Sequence, residues 1–89
     1  MWRYFVLDFT PTSGALWRRD SEETTRSAEI LDLPSGEWRP SDVFFRIFAG
    51  HWDRDNPEEI SARRADEIIR SWLASGRLSR TPQESPGVD

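Results

Sequence analysis

The chain has no cysteine, no lysine and a single histidine in 89 residues. Without cysteine there is no disulfide framework and no thiolate metal site, which agrees with a reducing compartment and an expected cytoplasmic location. A single histidine beside serines suited to helix capping (Ser41, Ser61) gives no nucleophile–base pair, and no glycine-rich stretch offers a phosphate cradle or an oxyanion hole. No enzyme constellation is visible, and none is expected. Apolar runs stay far below the ~20 residues of a membrane span, and Met1-Trp2-Arg3-Tyr4 lacks the layout of a signal peptide.

The missing lysine has a mirror image: all 12 basic residues are arginine. Such usage points to a GC-rich coding sequence, as in a high-GC bacterium or its phage. Against them stand 16 acids, for a net charge of −4. The middle of the chain carries most of the acids and residues 61–80 most of the local arginine excess. An acidic balance of this kind argues against a plain nucleic-acid binder, whose domain is basic overall. The length sets one small domain, which buries only about 60–65% of its unfolded surface.

The most legible segment is Glu59 to Gly76. Ser61 is an N-cap residue type, and Ile60 and Ala65 stand at the positions of a hydrophobic staple. Ala65, Ile68, Ile69, Trp72 and Leu73 fall on one stripe at i, i+3, i+4, i+7 and i+8. Gly76 supplies a left-handed stop. A helix is therefore expected there.

Upstream, residues 2–9 read as a strand, rich in aromatic and branched residues. Thr10 to Gly14 is turn chemistry, and Ala15 to Arg19 reads as the returning strand. Glu29 to Leu33 reads as a third strand and Glu37 to Arg39 as a short fourth. A first helix is expected from Ser41, with Val43, Phe44, Ile47 and Phe48 as its buried stripe, Phe45 off the stripe and Gly50 as its end. His51 to Glu58 reads as an acidic connector. Asp53, Asp55 and Glu59 suggest a calcium loop, but Glu58 stands where such a loop turns on glycine and Arg64 where it closes on glutamate, so no metal and no cofactor are expected.

The expected architecture is α+β: a three- to four-stranded antiparallel meander followed by two helices packed on one face. Residues 1–78 form the domain. Residues 79–89, with two prolines, a glycine and one weak apolar residue, are expected to be a disordered tail.

Strand alternation makes both faces of the first strand apolar: Phe5, Leu7 and Phe9 on one, Trp2, Tyr4 and Val6 on the other. With both helices on one face, the second is left bare. Trp2, Tyr4, Trp17, Trp38 and Arg18 are therefore the candidate partner-binding residues, since interface cores are enriched in aromatic residues and arginine. The function expected is a small interaction or accessory module that meets a protein partner or a second copy, with a two-fold homodimer as the simplest form. The alternative is a small regulator contacting nucleic acid through Arg63, Arg64, Arg70 and Arg77 on the last helix, although Asp66 and Glu67 interrupt that strip.

Overall fold

The structure is a computed structural model and describes residues 1–20, 28–50 and 56–83. Its elements, in chain order, are β1 (Trp2–Thr10), β2 (Ser13–Asp20), β3 (Ala28–Leu31), β4 (Trp38–Ser41), α1 (Val43–Phe48), β5 (Glu58–Ile60) and α2 (Ala62–Ser75). The strands form one antiparallel sheet in the order β4-β3-β2-β1-β5. The α+β class is as expected. The strand count is not: β5 lies in the segment read as acidic connector and helix start. With three residues, two of them glutamates, it shows no alternation to detect. Charge and shortness suit an edge strand, since both discourage pairing with another chain.

This fifth strand corrects the expected helix packing. β4 lies at one edge of the sheet and β5 at the other; α1, which follows β4, packs on one face and α2, which follows β5, on the opposite one. Each face consequently has its own helix and its own core. On the α2 face, Tyr4, Val6, Leu16 and Leu31 pack with Ala65, Ile68, Ile69, Trp72 and Leu78. On the α1 face, Phe5, Leu7 and Trp17 pack with Val43, and the Phe44 ring lies edge-on to Phe5 with centroids 4.6 Å apart.

Phe9 departs from simple alternation. Leu7 pairs with Ala15 and Thr10 with Ser13, so Asp8 and Phe9 face Gly14 alone. This is a β-bulge, and the extra residue resets the side-chain phase. Asp8 takes up the distortion at φ 52°, a left-handed value that Asp tolerates better than most residues. Opposite it, Gly14 has φ 103°, and a Cβ there would stand 2.8 Å from Phe9 Cα. The reset places Phe9 with Tyr4 and Val6, 5.9 Å from the Trp72 ring.

α2 follows its sequence signals closely. Ser61 caps it, its oxygen accepting from the Arg64 amide at 3.0 Å, and Gly76 ends it at φ 82°. Ala65, Ile68, Ile69 and Trp72 are buried. The Trp72 indole donates to the Thr10 carbonyl at 2.9 Å and Ser75 Oγ to the Pro11 carbonyl at 2.6 Å. These two bonds tie the helix end to the β1–β2 turn.

The start of the expected tail is bound. Leu78 is in the α2 core and Pro82 is buried. Ser79 donates to the Pro34 carbonyl from both its amide (2.9 Å) and its hydroxyl (2.7 Å). Arg80 Nε reaches the Ser35 carbonyl at 2.8 Å, and Trp38 Nε1 donates to the Gln83 carbonyl at 3.2 Å. Residues 79–83, within the segment expected to be a disordered tail, are thus in contact with the β3–β4 turn and Trp38. Residues 84–89 lie outside the described residues.

Candidate interaction surface

The expected aromatic face exists, but it is covered. Registers Tyr4↔Arg18, Arg18↔Glu29 and Leu31↔Trp38 put Tyr4, Arg18 and Trp38 on one side of the sheet, together with Trp2. That side is the one α2 occupies. Tyr4 is buried, and Trp2 and Trp38 are half-buried against the α2 core. Trp17 belongs to the other face and is buried under α1. The proposed group of five is thus divided between two cores.

Four of the five do form a cluster, centred on Arg18. Its guanidinium carbon lies 3.9 Å from the centre of the Trp2 ring and 4.4 Å from that of Trp38. Arg18 Nε donates to Glu29 Oε1 at 2.7 Å, and the Tyr4 and Trp38 centroids are 6.5 Å apart. Only 5% of Arg18 is exposed. Stacking on two indoles and an ion pair with the facing strand satisfy a charge that burial alone would penalise. A hollow of about 250 Å³ lies beside it, lined by Glu29, Glu37, Trp38, Arg80 and Gln83 among others. The cluster is therefore an internal fastening between β1, β2, β3 and β4.

The arginines of α2 and of the segment just after it are largely engaged within the chain. Arg64 pairs with Glu67 at 3.3 Å and Arg70 with Asp66 at 2.8 Å. Arg77 is half-buried, its guanidinium 4.9 Å from the Trp72 ring. Arg63 is exposed. Two of these arginines thus sit in local ion pairs on the helix surface.

Two carboxylates, one on β5 and one just after β3, are held below their usual range. Glu59 on β5 accepts from Arg3 Nε at 2.8 Å, and this hydrogen bond lowers its pKa, aided by the charge of Arg3 and, more weakly, of Arg19. Asp32 accepts from Ser35 Oγ at 2.6 Å, the main cause of its own lowered pKa, with Arg39 adding to it. Glu59 had been a candidate metal ligand; here it stitches β5 to β1. Asp53 and Asp55 lie outside the described residues, and among those described no three acidic or histidine side chains gather as a metal would require. No described helix is long and apolar enough to cross a membrane.

The exposed apolar surface lies elsewhere, on the outer side of α1. Five of its six residues are apolar. Val43 is buried and Phe44 and Ile47 half-buried, whereas Phe45 is 46% and Phe48 86% exposed. Phe48 had been expected on the buried stripe. Phe44 already occupies the ring of Phe5, and Phe48, one turn on, joins neither core. Beside the Phe45 ring is a shallow hollow of about 710 Å³, lined among the described residues by Pro40, Ser41, Asp42 and Phe45. Asp42, in that lining, is paired with the exposed Arg46 at 3.1 Å. A signal for this surface was present in the sequence: a six-residue helix apolar nearly all round cannot bury every side chain against one sheet. No protein-family model matches the chain, and no curated protein or solved structure matches it significantly.

Proposed function

We propose that this chain is a small protein-binding module, acting by contact rather than catalysis in a reducing compartment such as the cytoplasm. Its contact surface is the outer side of α1, not the aromatic sheet face. The observation that carries this reading is Phe48, 86% exposed on an ordered helix beside Phe45 at 46%. Apart from the terminal Met1, these are the large apolar side chains most exposed among the described residues. Adjacent exposed rings with an apolar hollow and a polar border have the anatomy of an interface: an apolar centre and a wet rim.

The test is site-specific photo-crosslinking in the source cells. A photoreactive phenylalanine analogue at position 48 should yield a covalent adduct with a protein, whether a second copy or another chain. The same analogue at Ala74, exposed on α2, should not. Absence of any adduct from position 48 would contradict the reading.

A further inference from the structure

We infer that Arg19, steadied by the rings of Phe5 and Phe44, is a receiving site for a carboxylate, carried by a small organic acid or by an acidic side chain of another polypeptide. The site does not use the exposed rings of Phe45 and Phe48, so it stands apart from the reading of α1 as a contact surface. It begins with the strand register. Phe5 faces Trp17 and Arg3 faces Arg19 across β1 and β2, on the side of the sheet that α1 covers. Like charges directly opposite each other destabilise a strand pair. Arg3 is offset by Glu59 on β5, to which its Nε and a terminal nitrogen donate at 2.8 and 2.5 Å. Arg19 has no such partner: its Nε is enclosed and makes no hydrogen bond, and no described carboxylate forms an ion pair with it. The charge of Arg19 is felt at Glu59, but the oxygens of that carboxylate are held by Arg3.

The cation is presented rather than sealed. Its guanidinium carbon lies 5.1 Å from the centre of the Phe44 ring and 5.6 Å from that of Phe5, and these two rings are packed edge-on to each other. Arg19 as a whole is half-buried, so with Nε turned inward the far edge of the fork is left to a ligand. A side chain already held against two rings loses little further freedom on binding. Two residues along the same face of β2, Trp17 is buried and its indole Nε1 also has no acceptor. Buried donors are nearly always paired. Both of these groups are donors, so what this part of the face lacks is an acceptor.

A guanidinium fork matches carboxylate and phosphate alike, and the surroundings decide between them. Glu59 faces Phe5 on the neighbouring strand and neutralises Arg3, so the excess positive charge is that of Arg19 alone. A monoanion balances it, whereas a dianion meets the repulsion of Glu59. The net charge of −4 adds a repulsion that grows with the charge of the ligand, which also disfavours nucleic acid and its closely spaced phosphates.

The test is an NMR titration of the full, isotope-labelled chain at neutral pH, following the arginine Nε–H signals and the backbone amides. The probes are sodium acetate, a blocked peptide carrying one glutamate, and inorganic phosphate, each against sodium chloride at equal ionic strength. The Arg19 Nε–H signal should shift saturably with the carboxylates, further than those of the other arginines, and less with phosphate. The amides of Arg3 and Phe44 should move with it and stop responding in Arg19→Gln, whose far-UV circular dichroism should match the parent. Phe48→Glu should titrate as the parent does, whatever photo-crosslinking at position 48 shows. Tighter binding of the peptide than of acetate identifies a polypeptide side chain as the source; equal or weaker binding identifies a free acid. An Arg19 signal that moves no further with either carboxylate than with chloride overturns the site. Phosphate binding more tightly than both overturns the assignment of its ligand.

Discussion

The guanidinium carbon of Arg18 sits 3.9 Å from the centre of the Trp2 ring, with Trp38 stacked 4.4 Å away on the same cation. In effect, an arginine expected at a binding surface has been consumed by the fold. Lysine would keep the charge but lose the planar fork that stacks on both rings while reaching Glu29. Arg18→Lys should therefore destabilise the protein by about 1–3 kcal/mol in urea unfolding, within the usual range for a partly buried cation–π and ion-pair contact. An unchanged midpoint would show that charge alone suffices.

The segment after α2 gives a second expectation. Ser79, Arg80 and Gln83 make hydrogen bonds to the β3–β4 turn and to Trp38. At about 0.5–1.5 kcal/mol each, ending the chain at Leu78 should lower stability by on the order of 1–3 kcal/mol. A chain truncated there that melts with the full-length protein would show that the segment contributes nothing.

Acid should weaken the protein through Glu59 and Asp32. Both have folded-state pKa values lowered from ordinary values of 4.5 and 3.8. A depressed carboxylate contributes stability above its unfolded pKa and loses it as pH falls through the folded one. The melting temperature should hence hold steady near neutrality and fall below about pH 4.5, as Arg3–Glu59 and Ser35–Asp32 come apart. Glu59→Gln should flatten part of that fall. A midpoint that rises on acidification would reverse the sign and contradict these assignments.

Much of this fold is legible in the sequence where one local rule decides the outcome. Ser61, the Ala65–Trp72 stripe and Gly76 define α2 without reference to anything distant, and the alternation of Trp2 to Leu7 defines β1. What could not be read was non-local. The bulge at Asp8 moves Phe9 to the other face, and only the pairing of Gly14 reveals it. β5 has one apolar residue, so its partner strand, not its pattern, makes it a strand. Missing β5 hides the crossover that separates the helices, and from that one omission came the bare sheet face. The candidate site moved accordingly. Tyr4 and Trp17, strong interface residue types, are core residues of two different layers, while Phe48 was counted as core because its spacing from Phe44 matches a buried stripe.

The most direct measurement compares Tyr4→Glu with Phe48→Glu by thermal melting monitored by circular dichroism. Tyr4 is 4% exposed under α2 and Phe48 86% exposed on α1. A buried, unpaired carboxylate costs several kcal/mol, a large part of the stability on the order of 4–13 kcal/mol available to a chain of this length. The account predicts that Tyr4→Glu unfolds or melts far lower, while Phe48→Glu, measured at a concentration where the parent is monomeric, keeps the parental midpoint. A folded Tyr4→Glu beside an unfolded Phe48→Glu would contradict it, returning the interaction surface to the sheet and α1 to the core.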